Sequence, residues 1–126
     1  HKAKQKIREL LKIRPKSFPL RFLNSMVLWK ENRYEKAIKI LKDLSRERPY
    51  DPNLWYELAE VSGLAGDISG VHLARAEYFY LNGASHRAIQ HLEYAKNLVA
   101  GGNRQLHAKL TQRIQDLRTE IRSSQG

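Results

Sequence analysis

The chain has 126 residues, of which 41% are hydrophobic and none is cysteine. This composition suits one modest domain and excludes a disulfide framework and thiolate metal sites. The net charge of +10 is uneven, because residues 1–48 hold 15 Lys and Arg against 5 Asp and Glu, whereas residues 49–126 hold 8 of each. No apolar run reaches the roughly 18 residues of a membrane span, and no signal peptide is visible.

Apolar residues at helical spacing predict seven helices and no strands. In chain order, the predicted helices span about 2–14, 17–31, 34–48, 52–65, 68–82, 85–99 and 103–123. Asp51 followed by Pro52 is a helix-start signal. Asn32, Gly66 and Gly83 are predicted to occupy turns that need a left-handed backbone, which glycine adopts without a steric penalty and asparagine with a small one.

A spacing of 34 residues recurs along the chain. It separates Pro15 from Pro49, Asn32 from Gly66, Ala3 from Ala37, and Ile7 from Leu41. This is the period of the tetratricopeptide repeat (TPR), a pair of antiparallel helices. Trp55, Leu58 and Ala59 match the first half of the repeat pattern, and Ala37 and Leu41 match the second half.

The sequence therefore predicts an all-α fold, a TPR helical-hairpin solenoid of about seven helices in one domain over residues 1–126. Its predicted parts are the second half of a truncated repeat at 1–15, repeats at 17–50 and 51–84, an overlapping half-repeat pair at 68–100 and a capping helix at 103–123. The missing first half of the truncated repeat is expected upstream. The capping helix carries a narrow apolar stripe, and the alternative is that this helix binds a partner. The stripe consists of Leu106, Leu110, Ile114, Leu117 and Ile121.

Segments within residues 50–120 resemble the C-terminal TPR region of the bacterial β-barrel assembly-enhancing proteases. The segments are Asp51-Pro52-Asn53-Leu54-Trp55, Leu58-Ala59-Glu60, Leu73-Ala74-Arg75-Ala76-Glu77-Tyr78, Asn82-Gly83, Ala88-Ile89 and Arg113-Ile114-Gln115-Asp116-Leu117. These proteases are periplasmic zinc metallopeptidases that also act as chaperones for outer-membrane proteins. The resemblance implies a periplasmic location and an upstream zinc peptidase domain. It also implies partners among unfolded outer-membrane proteins and their assembly machinery.

Three familiar catalytic or phosphate-binding motifs are absent from the chain. It has no His-Glu-x-x-His, no glycine-rich phosphate loop and no Gly-x-Ser-x-Gly elbow. His86 and His91 are too far apart around one helix to share a metal easily, and all five histidines, His1 included, are interpreted as surface residues. Glu57 and Glu60 are interpreted as solvated carboxylates. The sequence predicts a non-enzymatic module without catalytic residues, metal or cofactor, which neither hydrolyses casein-like substrates nor binds zinc.

Positions two, five, nine and twelve of a TPR line the concave face on which these repeats bind ligands. The candidate partner-binding residues at these positions are Phe22, Met26, Trp29, Asn53, Tyr56, Glu60, Leu73, Glu77 and Tyr80. This apolar and aromatic lining, with two carboxylates, suits a hydrophobic or amphipathic peptide and argues against an acidic tail. The alternative is that Phe22 and Trp29 pack against a neighbouring helix.

Three functions are compatible with these patterns. The first is a protein–protein interaction module, the second is a nucleic-acid or anionic-surface binder that uses the basic first third, and the third is a cytoplasmic TPR scaffold. The basic face is also compatible with ordinary solvation. Because residues 1–17 carry no aromatic side chain for stacking on bases, we favour the first function and predict no specific nucleic-acid partner. Any nucleic-acid binding is expected to be weak and lost with salt.

Overall fold

The computed structural model describes residues 2–125, which form seven α-helices joined by short turns and contain no strand. The helices are α1 (Lys2–Ile13), α2 (Phe18–Lys30), α3 (Tyr34–Glu47), α4 (Pro52–Leu64), α5 (Ile68–Leu81), α6 (Ser85–Leu98) and α7 (Arg104–Gln125). The prediction of an all-helical chain with seven helices is therefore confirmed. Every predicted helix end agrees with the observed end to within two residues.

Side-chain caps begin several of the helices. The carboxylate of Asp51 accepts a hydrogen bond of 3.0 Å from the backbone N–H of Asn53, and Pro52 opens α4. Asp67 caps α5 in the same way, because its carboxylate accepts a hydrogen bond of 3.0 Å from the N–H of Gly70. These bonds satisfy N–H groups that have no partner within the first helical turn. The helix start predicted at Asp51 and Pro52 is confirmed.

Asn32, Gly66 and Gly83 end α2, α4 and α5 with left-handed backbone, at φ values of 64°, 78° and 81°. At each turn, the N–H groups of this residue and the next one donate to carbonyl groups of the last helical turn. The N–H of Asp67, for example, donates to the carbonyl oxygen of Ser62 over 2.9 Å. Carbonyl groups at a helix end otherwise lack partners. The three predicted left-handed turns are confirmed.

Replacing Gly66 with alanine is expected to lower the free energy of unfolding by about 1–2 kcal/mol, because a Cβ disfavours left-handed backbone. Steric contact adds nothing, since no atom lies within 4 Å of the position of that Cβ. Gly63 is a matched control three residues earlier, within α4. Gly63→Ala is expected to raise the stability by about 0.5–1 kcal/mol. Urea unfolding followed by circular dichroism measures both, and changes of the same sign would contradict the assignment of the turn.

Each helix packs mainly against the helices that precede and follow it in the chain. The buried side chains form two clusters. The first cluster comes from α2, α3 and α4 together with Ala74 of α5, and the second comes from α5, α6 and α7 and includes Ala76. Ala37 and Ala59 are buried in the first cluster, where their small side chains let neighbouring helices approach closely. Because α5 contributes to both clusters, it has buried residues on more than one face.

The last helix packs against α6 through Leu110, Ile114 and Leu117, which are buried. Leu106 and Ile121, also in the predicted apolar stripe, are half-buried in the same cluster. With 22 residues α7 is the longest helix. Neither α7 nor any other helix in the described part of the chain is long and apolar enough to cross a membrane.

Candidate partner-binding surface

An open depression lies between α2, α4 and α5. Its lining includes Trp29 from α2, Tyr56, Glu57, Glu60 and Leu64 from α4, and Ile68, Val71 and Arg75 from α5. We call this surface the α2–α4–α5 depression. It draws its side chains from helices on both sides of the turn at Gly66, so the geometry of that turn fixes their relative positions.

Three large apolar side chains of this depression are about half exposed. Tyr56 is 49% exposed, Leu64 is 53% exposed and Ile68 is 51% exposed. Val71 is buried beneath them. Single exposed apolar residues are common on protein surfaces, whereas apolar residues grouped in one depression are typical of interaction sites. The α2–α4–α5 depression is therefore the best candidate for a partner-binding surface.

Trp29 packs against the first cluster on one side and lines the α2–α4–α5 depression on the other. Its indole N–H donates to the sulfur of Met26 over 3.4 Å, and its ring packs against the first cluster. Phe22, one further turn back on α2, packs half-buried against the same cluster. The alternative to groove lining is that Phe22 and Trp29 pack against a neighbouring helix, and both residues do pack against the first cluster. Trp29 in addition lines the depression, so it is available to a partner.

The charged groups of the depression favour a cationic ligand. Burial raises the pKa of Glu57, and the nearby carboxylate of Glu60 raises it further. Glu57 is thus half-buried, in contrast to the solvated carboxylate expected from the sequence, whereas Glu60 is exposed. Arg75 is the one cationic residue in the lining. A lysine or arginine of a partner would relieve the repulsion between the two carboxylates.

The predicted binding residues on α5 lie away from this depression. Leu73 and Glu77 line a second cavity, bounded mainly by α3, α4, α5 and α7. Glu77 accepts two hydrogen bonds from Arg113 of α7, each over 3.1 Å. The hydroxyl of Tyr80 donates to Glu120 of α7 over 3.2 Å. These residues help to join α5 to α7.

Three of the nine predicted residues, Trp29, Tyr56 and Glu60, come together in the α2–α4–α5 depression. Phe22 and Met26 lie on α2 with Trp29 but outside the lining of the depression. Asn53 is exposed at the start of α4, also outside the lining. The sequence-based positions thus locate the α4 side of the candidate surface better than its α5 side.

Basic side chains from the first third of the chain reach the second cavity. Lys42 and Arg46 of α3 line it together with Lys109 of α7, and Trp55 forms part of its wall. Ser62 also lines it, and its hydroxyl oxygen is buried without a hydrogen-bond partner in residues 2–125. Lys42 and Arg46 therefore share a cavity with two of the predicted binding residues, Leu73 and Glu77.

Sequence reasoning missed Leu64, Ile68, Val71 and Arg75, which complete the depression. The TPR pattern treats α5 as a helix that lines the binding face. Its lining positions on α5 fall on the side of the helix that faces the second cavity and α7. A signal was nevertheless present in the chain. Ile68, Val71 and Arg75 follow at intervals of three and four residues, which places them on one helical face.

Two histidines also differ from the sequence-based interpretation. His72 of α5 and His91 of α6 are half-buried, with their Nδ1 atoms 2.9 Å apart, so both are less exposed than the sequence-based interpretation expects. His86 is exposed and His107 is half-buried, while His1 lies outside the described residues. Within residues 2–125, no three histidine, aspartate or glutamate side chains are grouped as the ligands of a metal would be.

Comparison of the chain with protein-family models gives no match, and comparison with curated proteins gives none either. The resemblance to the assembly-enhancing proteases therefore stays a prediction. The same holds for the periplasmic location, the upstream peptidase domain and the partners that the resemblance implies.

Proposed function

We propose that this chain is a protein-interaction module that binds an apolar or amphipathic segment of a partner in the α2–α4–α5 depression. The observation that carries the proposal is the group of exposed Tyr56, Leu64 and Ile68 beside half-buried Trp29. Covering apolar surface of this kind is favourable because it removes the surface from water. Tryptophan and tyrosine are also the residue types most often found as energetic anchors at interfaces.

We further propose that the helices form a TPR solenoid with α7 as its capping helix. Support comes from the 34-residue spacing and from the left-handed turns at Asn32 and Gly66, which lie one period apart. Ala37 and Leu41, the small and large positions of the second half-repeat, are both buried. In this arrangement α2 and α4 are the first helices of successive repeats, which are the helices that line the ligand-binding face.

The charge of the depression defines the partner further. Glu57 and Glu60 oppose a single Arg75, so a segment that flanks its apolar residues with lysine or arginine is preferred. In line with the resemblance, the proposed partners are unfolded outer-membrane proteins and their assembly machinery in the periplasm. An upstream zinc peptidase domain of the same protein is a further proposed partner. The chain described here is proposed to act without catalysis, metal or cofactor of its own.

Tryptophan fluorescence tests this proposal directly, because the chain has two tryptophans and only Trp29 lines the depression. A Trp55→Phe variant leaves Trp29 as the single reporter. We expect its emission to shift to shorter wavelength and to saturate on titration with a synthetic peptide of alternating leucine and lysine. A peptide with glutamate in place of lysine is expected to bind more weakly, because it faces the carboxylates of Glu57 and Glu60.

The matched control is Trp29→Phe, which keeps Trp55 as the reporter. Trp55 lies at the second cavity, where its indole N–H donates to the carbonyl oxygen of Pro49 over 2.9 Å. Its emission is expected to stay unchanged when the leucine–lysine peptide is added. A response from Trp55 alone would place the binding surface at the second cavity, and no response from either reporter would contradict peptide binding.

A further inference from the structure

The two half-buried histidines form a direct contact between α5 and α6. The Nδ1 atoms of His72 and His91 are 2.9 Å apart, and the two rings stack with their centroids 5.1 Å apart. Phe79 stacks on the other side of His91 at 5.3 Å, and Tyr94 lies 5.2 Å from His72. The α5–α6 contact is the most extensive between any two helices of the described chain, so the pair lies in a structurally important interface.

The distance between the two Nδ1 atoms requires a shared proton. At 2.9 Å one Nδ1 must carry a hydrogen and donate it, while the other accepts with its lone pair. A first added proton binds at the Nε2 of the donor ring and leaves this hydrogen bond intact. A second added proton can only bind at the accepting Nδ1. It replaces the hydrogen bond with two N–H groups that face each other and two positive charges in contact.

The surroundings of the pair oppose its protonation. Burial lowers the pKa of both rings; Arg75 on α5 lowers the pKa of His72 further, and the pKa of His91 is lowered further by His72, Arg75 and Arg87 of α6. On the α4 side, Glu57 and Glu60 lie in the depression with Arg75, but neither carboxylate is among the groups that shift the pKa of His72 or His91.

The remaining helix packed against α6 is α7, and one of its arginines pairs with a carboxylate of α6 close to His91 in the chain. Arg118 of α7 donates to Glu93 of α6 over 2.7 Å. Among the described residues, no carboxylate is found to raise the pKa of either histidine, as a nearby counter-ion would. A protonated pair would therefore lose part of its solvation on folding and gain no counter-ion in return.

We propose that His72 and His91 form a proton-sharing pair that makes the packing of α5 against α6 sensitive to acid. Histidines with a lowered pKa bind fewer protons in the folded chain than in the unfolded chain. Stability is therefore full above the ordinary histidine pKa of about 6.5, falls as the pH drops below it, and stops falling below the lowered folded-state values. This inference concerns the fold and does not depend on the proposed peptide binding.

Urea unfolding of the chain at several pH values between about 7.5 and 5 tests the proposal in the range where histidines titrate. Each proton that the unfolded chain binds and the folded chain refuses raises the unfolding constant about tenfold per pH unit. We expect this rise in the wild-type chain and its loss in the double variant His72→Asn with His91→Asn. The control is His86→Asn, which changes an exposed histidine on α6, the helix that also carries His91. This variant is expected to keep the wild-type dependence of stability on pH.

Nuclear magnetic resonance on the wild-type chain gives a second measurement that does not require a variant to fold. The ring signals of His72 and His91 are expected to titrate together, in two steps that both rings report, because the groups are coupled. Independent single-step titration of the two rings at the ordinary histidine pKa would overturn the proposal. An unchanged pH slope of stability in a folded double variant would overturn it as well.

Discussion

Replacing Leu44 with alanine is expected to lower the free energy of unfolding by about 2–5 kcal/mol, the range found for buried leucines. Leu44 lies in α3, in the first cluster, and is 0% exposed. Its truncation removes favourable burial and leaves a cavity that closely packed helices fill only in part. A domain of this size is typically stable by about 5–15 kcal/mol, so the loss is a large fraction of the total. Urea unfolding followed by circular dichroism measures it.

Leu10 provides a matched control, because it is a leucine of α1 that lies 34 residues before Leu44. In contrast to Leu44, Leu10 is 37% exposed, and α1 has no buried residue. Leu10→Ala is the same chemical change and is expected to cost less than about 1 kcal/mol, since less apolar surface is returned to water. Equal losses for the two variants would show that the difference in burial between Leu44 and Leu10 does not determine their contributions to stability.

The fold could be predicted in outline because its signals are local. A helix start such as Asp51 with Pro52 depends on hydrogen bonds that span two or three residues. A helix end such as Asn32 or Gly66 depends on the backbone conformation of that single residue. Short-range signals of this kind operate irrespective of how the helices pack, and they recur at the repeat period. The number and the bounds of the helices therefore followed from the chain alone.

The candidate surface could be predicted only in part, because the packing of α5 is not a local property. The repeat pattern treats α5 as a lining helix and selects Leu73 and Tyr80. In the structure α5 packs between α4 and α6 and also contacts α7, so these residues turn towards the second cavity and α7. The depression is instead completed by Ile68 and Val71. Which face of a helix stays open depends on all of its neighbours, and periodicity within one helix does not contain that information.

The histidine pair was beyond the reach of spacing arguments for a related reason. His72 and His91 are 19 residues apart, so no spacing within one helix brings them together. Their contact depends on how α5 and α6 meet across the turn at Gly83. A search for histidines on one helical face considers His86 with His91, and the structure shows His86 exposed.

Replacing Tyr56 with alanine is expected to weaken binding of the leucine–lysine peptide by about 2 kcal/mol or more if Tyr56 is an anchor, which is roughly thirtyfold in the dissociation constant. Tyr56 is 49% exposed in the depression, and its ring contact with Tyr78 at 5.6 Å is worth only about 0.5–1.5 kcal/mol. The variant should therefore stay folded. Peptide titration by calorimetry and thermal unfolding measure the two effects separately.

Trp29→Ala is expected to weaken binding by a similar factor and to lower the melting temperature as well. The additional effect follows from the contact of Trp29 with the first cluster and from its hydrogen bond to Met26. Tyr50→Ala is the matched control for both variants, because Tyr50 is 82% exposed and lies outside the depression. It should change neither quantity.

The two variants together separate binding from structural support. If Trp29 only supports the fold, Trp29→Ala lowers the melting temperature while the folded variant binds the peptide as tightly as the wild-type chain. If Tyr56 only covers Tyr78, Tyr56→Ala also leaves the affinity unchanged. Unchanged affinity in both folded variants would exclude the α2–α4–α5 depression as the binding surface. A loss of affinity in Tyr56→Ala at unchanged stability would support direct contact between Tyr56 and the peptide.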